Sequence, residues 1–305
     1  MDNSALYHQV LQKYWGYTSF RPLQEQIVDA AYRGQDILGL MPTGGGKSIT
    51  FQVPALCKEG ICLVVTPLIA LMKDQVDNLQ AKGIRAVTVY SGMGQKEIVQ
   101  ALDNCILGDY KFLYISPERL GTDLFLEKVK RMNVSMLVVD ESHCISQWGY
   151  DFRPAYLKIA EIRKVLPEDI PVMALTATAT PEVVEDIQNQ LHFRVHRVVQ
   201  KSFSRKNIAY VVRKTDDKIG QMIHILRSVP GTSIVYVRSR KRTKEIADML
   251  REEGFTADHF HAGLTHASCL RSFAPCVNPA WKWSAVKPSS LSISAISFVR
   301  LRLRT

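Results

Sequence analysis

Two short stretches of this chain carry residue types suited to phosphate chemistry. The first is MPTGGGKS at residues 41–48, which follows an apolar run and precedes a stretch that reads as a helix. A polyphosphate needs backbone N–H groups converging at a helix N-terminus, where the helix dipole also favours anions. Gly44, Gly45 and Gly46, in one turn with Thr43, let the backbone approach phosphates without side-chain clashes. Lys47 then offers a positive charge to the β- and γ-phosphates, and Ser48 a hydroxyl to Mg2+. The general phosphate-loop pattern asks for Gly where this chain has Met41, and a glycine-rich turn with an exposed lysine is the alternative.

The second stretch is DESH, Asp140 to His143, directly after the apolar run MLVV. An acid at the C-terminal end of a parallel strand sits where open α/β sheets hold ligands. Asp140 is placed to hold Mg2+ and Glu141 to orient or deprotonate the attacking water, the carboxylate work of phosphoryl transfer. Asp-Glu after a strand is also a common way to start a helix. The GGGKS upstream is what makes the phosphate chemistry the better reading.

Elements able to position these residues recur along the chain. Apolar runs at 36–41, 61–66, 86–90, 112–116, 136–140 and 172–176 alternate with helix-like stretches at 68–82, 96–107, 155–165 and 181–191. Short apolar strands alternating with helices predict a parallel sheet covered on both faces. A second series begins near Asn207, with strands predicted at 208–212, 233–237 and 257–260 and helices at 216–227 and 240–252. The predicted organisation is a first α/β domain at 1–199, a polar linker at 200–207, a partial second domain at 208–267 and a tail at 268–305. The α/β rhythm stops at Ala267. A frame-shifted or otherwise misread end explains that break, with a divergent tail as the alternative. Within the tail, FVRLRLRT alternates apolar residues with arginine and predicts an exposed strand.

Composition bounds the rest. Of the 305 residues, 46% are hydrophobic and 22% charged, as in ordinary globular proteins. The net charge of +10 is weak support for nucleic-acid binding, because residues 268–305 contribute six Lys/Arg and no acid. The remaining residues hold 33 basic against 29 acidic side chains. No apolar run is long enough to span a membrane and no secretory signal opens the chain, so a cytoplasmic location, in bacterial-type cytosol or nucleoid, is expected. Cysteines 57, 62, 105, 144, 269 and 276 form no CxxC pair, which points to reduced thiols rather than disulfides.

GGGKS and DESH together resemble the superfamily-two helicases, whose motor is two RecA-like domains with ATP between them. Further stretches narrow the resemblance to the RecQ family of DNA helicases. Tyr17, Arg21 and Gln24, within YTSFRPLQ, look like the segment in which the aromatic ring stacks on adenine and the other two contact the nucleotide. TPLIALMKDQ from Thr66 and SPERL from Ser116 are similar to the strand-binding motifs, which hold phosphates without reading sequence. Thr176-Ala-Thr178 looks like the motif linking hydrolysis to strand movement. CISQWGYDFRP at 144–154 resembles the aromatic-rich loop that couples DNA contact to hydrolysis. Trp148, Tyr150, Phe152 and Arg153 there form a candidate stacking platform for unpaired bases, with a buried aromatic cluster as the alternative. IVYVRSR from Ile234 and FHAGL from Phe260 are similar to the first motifs of the second domain, although Val237-Arg238 replaces the usual Cys-Asn.

The resemblance implies ATP and Mg2+ as cofactors, with His143 in the nucleotide-facing box. It implies single-stranded DNA and duplex junctions as partners, and 3′ to 5′ unwinding in recombination and repair. The family's later motifs, including its arginine finger, are not found in 268–305. Neither is its zinc module, so zinc is not expected. Impaired turnover is expected of these 305 residues. A non-catalytic ATP- or DNA-binding remnant and a DExH RNA helicase are the rival readings.

Overall fold

Runs of four to six apolar residues form strands, and the amphipathic stretches between them form helices that return the chain to one sheet edge. The computed structural model describes residues 4–42, 44–149, 151–200, 209–229, 231–260 and 295–300. The chain divides into two compact units, Met1–Arg205 and Lys206–Thr305.

In the first unit, α1 (Ser4–Trp15) and α2 (Gln24–Tyr32) precede β1 (Ile37–Leu40). There follow α3 (Lys47–Leu56), β2 (Ile61–Val65), α4 (Ile69–Gln80), β3 (Ala86–Val89), α5 (Gln95–Leu107) and β4 (Phe112–Ile115). Next come α6 (Pro117–Leu120), α7 (Asp123–Val129), β5 (Val134–Val139), α8 (Lys158–Val165), β6 (Val172–Thr176), α9 (Pro181–Gln190) and β7 (Val198–Gln200). The strands form one parallel sheet in the order β3-β4-β2-β5-β6-β1-β7. The predicted parallel α/β sheet is therefore present.

Strand side chains alternate between two cores. Leu137 and Val139 of β5 face α5, α7, α8 and α9, through residues such as Leu102, Phe125, Ile159 and Ile187. Met136 and Val138 face α2, α3 and α4, through Ile27, Phe51 and Met72. Every residue of β5 is buried, which is why it reads in sequence as an unbroken apolar run. Because all strands run the same way, the loops after β1, β5 and β6 emerge side by side at one edge. Among the described residues, no helix is long and apolar enough to cross a membrane.

Gln200, expected as the first linker residue, instead ends β7, which pairs with β1. The other linker residues, 201–207, lie outside the described residues. In the second unit, α10 (Lys218–Ser228), β8 (Thr232–Val237), α11 (Arg240–Glu252) and β9 (Thr256–Phe260) follow the expected pattern. The strand predicted at 208–212 does not form over 209–212, where Tyr210, Val211 and Val212 are exposed. An apolar run makes a strand only where a neighbour completes the hydrogen-bond ladder.

The tail also differs from expectation. Ala295–Arg300 forms β10, which lies between β8 and β9 and runs antiparallel to both. Within that sheet it is the central strand, and residues 301–305 of the predicted strand lie outside the described residues. In the first sheet the corresponding slot, between β2 and β3, is filled by the parallel strand β4.

The start of β1 is fixed by a buried carboxylate. Asp36 accepts hydrogen bonds from the backbone N–H of Val172 (2.8 Å) and of Arg194 (2.9 Å), and pairs with the guanidinium groups of Arg194 and Arg163. It thus ties β1 to β6 and to the segment after α9. Burial alone would raise its pKa, but Arg194, the backbone donors and Arg163 hold it below the ordinary carboxylate range. Asp36→Ala leaves Arg163 buried without its carboxylate and is expected to cost about 3–5 kcal/mol in urea unfolding. A lowered native pKa means the contribution is present above the ordinary value of 3.8 and is lost as pH falls further. Below about pH 4 the wild type should therefore lose stability that Asp36→Asn does not lose, and parallel acid profiles would contradict this role.

Candidate functional site

The glycine turn leads from β1 into α3, and Gly44 and Gly46 adopt left-handed conformations, φ 76° and 79°. A Cβ on Gly46 would stand 2.4 Å from Gln24 Nε2, whereas one on Gly44 would meet nothing within 4 Å. The turn is thus gripped from one side and open on the other. Gln24 provides the grip. Its amide donates to the carbonyls of Gly45 (3.1 Å) and Gly46 (3.2 Å), and its oxygen accepts from the Arg21 N–H (2.8 Å). Arg21 Nη1 donates to the Gly44 carbonyl at 2.7 Å. Two residues nominated as nucleotide contacts therefore support the loop backbone in this structure. Tyr17, the third, is 51% exposed. Thr43 lies outside the described residues.

The acidic box sits across the sheet edge, two strands away. Lys47 Nζ and Glu141 Oε1 are 3.2 Å apart, which joins α3 to the end of β5. Glu141 has φ 47° and ψ 45°, a left-handed conformation that a non-glycine residue adopts at a cost. Asp140 caps its neighbour by accepting the Glu141 N–H at 3.0 Å. Burial, then the adjacent Glu141 charge, push the Asp140 carboxyl up to about 6, with Lys47 acting in the opposite direction. A carboxylate so poorly compensated suits a cation.

His143 connects this box to the strand between the two motifs. Its Nδ1 lies 2.8 Å from Thr176 Oγ1 at the end of β6 and 3.5 Å from Glu141 Oε2. Burial lowers its pKa, against the nearby Glu141 and Asp151, and so favours the neutral ring. Thr176 in turn bonds Thr178, at 3.3 Å from its N–H. DESH and Thr-Ala-Thr therefore form one hydrogen-bonded unit.

Beyond the box the chain turns sharply at Gly149, where a Cβ would stand 2.7 Å from the His143 carbonyl. Trp148 beside it is 79% exposed. Phe152 is half-buried, and Arg153 points its guanidinium at Asp151, Nη2 to Oδ2 2.9 Å. Tyr150 lies outside the described residues. Thr66 and Ser116 directly follow β2 and β4 but are only 3% and 2% exposed, so their side chains offer little surface to a strand. Ser48 lies in the first turn of α3, half-buried.

Two partners were missed in the sequence. Asp151 could have been paired with Arg153, since alternate residues of extended backbone share a face. Tyr156 donates from its hydroxyl to the Asp140 carbonyl at 2.9 Å, and nothing in the spacing signals that contact.

Comparison with known proteins agrees with this geometry. Residues 21–187 match the family model described as DEAD/DEAH box helicase. Over 260 residues the chain is 42% identical to the ATP-dependent DNA helicase RecQ of Haemophilus influenzae, covering 85% of this chain and 42% of that protein. It is 41% identical over 262 residues to the probable ATP-dependent DNA helicase RecS of Bacillus subtilis, covering 84% of this chain and 52% of that one. The crystal structure of the DUF1998 helicase MrfA shares the fold, with a TM-score of 0.59 at 17% identity over 83% of this chain and 42% of that one. The chain thus spans about half or less of the length of these relatives. The matched family model covers both the glycine turn and the acidic box, and the chain belongs to the DEAD/DEAH box helicases, as a member of RecQ type.

Proposed function

We propose that this chain is the ATP-binding motor of a RecQ-type DNA helicase, one that unwinds DNA 3′ to 5′ in recombination and repair and works in the cytosol or nucleoid. The observation that carries the reading is the Lys47–Glu141 approach of 3.2 Å, which aims a phosphate-binding loop and an acidic box at the same space. In this reading the N–H groups of Gly44 to Lys47 cradle the phosphates and Lys47 leaves Glu141 for the terminal phosphate. Glu141, released, accepts a proton from the attacking water. Tyr17 stacks on adenine, with Arg21 at its edge and Gln24 acting through the glycine turn that it holds, and His143 reports the state of the phosphates to Thr176.

The donor set fits Mg2+, a hard cation that prefers oxygen ligands. Ser48 and Asp140 would hold it. When bound, Mg2+ supplies neutralisation of the charge on the β- and γ-phosphate oxygens.

DNA is assigned to the loop after the acidic box. Exposed Trp148 offers a face for base stacking, and Tyr150, Phe152 and Arg153 follow it in the sequence. Thr66 and Ser116 enter as the residues directly after β2 and β4 that shape the strand path, rather than as exposed side chains.

Lys47→Ala is expected to weaken ATP binding by roughly 10- to 100-fold, the worth of a charge-assisted contact. Glu141→Gln should leave binding within a few-fold and cut hydrolysis by about 10²–10⁴. Titration with a fluorescent nucleotide and a phosphate-release assay separate the two, and a Lys47→Ala chain that binds ATP normally would overturn the loop assignment.

Because a proton must leave Asp140 before a cation binds, Mg2+-dependent ATP affinity should fall as pH drops below about 6. Asp140→Asn should abolish that dependence. Trp148→Ala should lower the strand-stimulated part of hydrolysis by roughly 5- to 150-fold in strand affinity, the worth of one stacked base. Single-stranded RNA stimulating hydrolysis better than DNA would favour an RNA helicase instead.

A further inference from the structure

Where the acidic box runs into the aromatic loop, three metal-ligating atoms converge that the proposed ATP chemistry does not use together. Cys144 Sγ lies 3.8 Å from His143 Nε2 and 3.7 Å from Asp151 Oδ2, and all three atoms lie within 4.8 Å of one another. Cys144 and His143 are buried and Asp151 is half-buried. A tetrahedral zinc ion with ligands at about 2.0–2.3 Å holds neighbouring ligand atoms about 3.5 Å apart. The two spacings from Cys144 are close to that value, and the third, between His143 and Asp151, falls within 4.8 Å.

The hydrogen bonds also prepare the histidine. Thr176 Oγ1 lies 2.8 Å from His143 Nδ1 and 3.2 Å from the Thr178 carbonyl. In the tautomer protonated at Nδ1, Thr176 accepts the ring proton and Nε2 is the nitrogen that faces Cys144. A metal-bound histidine ordinarily donates its other N–H to an oxygen in this way.

We infer that His143, Cys144 and Asp151 form a three-ligand site for a thiophilic divalent cation of the zinc class, with water in the fourth position. On binding, the Cys144 thiol proton leaves to solvent and Sγ coordinates as thiolate. Asp151 Oδ2, now bonded to Arg153 Nη2 at 2.9 Å, turns to the cation. The sulfur ligand separates this site from the oxygen-only chemistry that suits Mg2+. Sequence spacing hides it, because adjacent His and Cys with an acid seven residues on match no familiar metal motif. The consequence for activity rests on the proposed function, whereas binding does not: a cation here staples the acidic box to the loop carrying Trp148 and suppresses strand-stimulated hydrolysis.

Titration of the full chain with Co2+, in millimolar Mg2+, tests the site directly. A single equivalent should give a thiolate-to-cobalt charge-transfer absorption that Zn2+ displaces. Cys144→Ser should abolish the band, Asp151→Asn should weaken Co2+ binding by more than about tenfold, and the Cys269→Ser/Cys276→Ser double variant should keep it. Absence of the band in the wild type, its survival in Cys144→Ser, or indifference to Asp151→Asn overturns the site. Asp151 is half-buried, so its variant remains informative if Cys144→Ser does not fold. Zn2+ should also reduce strand-stimulated hydrolysis in the wild type but not in Cys144→Ser. Cobalt binding without that reduction overturns the stapling consequence alone.

Discussion

Opposite charges meeting across the C-terminal edge of the first sheet organise the candidate site. Lys47 begins α3 and Glu141 follows β5, and β1 and β5 are separated in the sheet by β6 alone. Parallel strands about 4.8 Å apart place the two loops within reach of one long side chain. The pairing at 3.2 Å therefore depends on strand order, and strand order on the crossover helices that cover both faces. Asp36 guards the other end of the same arrangement, fixing β1 against β6 before the chain reaches the glycine turn.

Such a site stores free energy locally. Asp140 carries a carboxyl whose charged form burial and Glu141 disfavour, and Glu141 itself sits in left-handed backbone. The first of these costs is relieved by a positive group brought into the space between the two loops. His143 then extends the effect sideways, since its bond to Thr176 lets a change at the acidic box be felt at the end of β6. One hydrogen-bonded chain links the acidic box to the segment leaving the sheet.

Much of this was legible in the sequence, for physical reasons. Strands buried on both faces read as apolar runs, so β2, β4, β5 and β6 stood out, as did the turns after them. Glycines at 44–46 and the acids at 140 and 141 announced themselves by type and position. What stayed hidden depends on neighbours rather than on local pattern. The grip of Gln24 on the glycine turn needs α2 to pack beside α3, and the Tyr156 bond to Asp140 spans sixteen residues. Residues 209–212 belong to an apolar run that reads as a strand yet find no ladder, whereas 295–300 find one between β8 and β9, in a direction that no βαβ reading would give.

The central claim is that a triphosphate occupies the space between the glycine turn and the acidic pair. Amide hydrogen exchange, followed by mass spectrometry on adding a non-hydrolysable ATP analogue with Mg2+, tests it most directly. Protection should concentrate in the peptides spanning 41–50 and 136–144, which carry the glycine turn and the acidic box. Protection of one segment without the other, or of neither while the analogue is bound, would contradict the account.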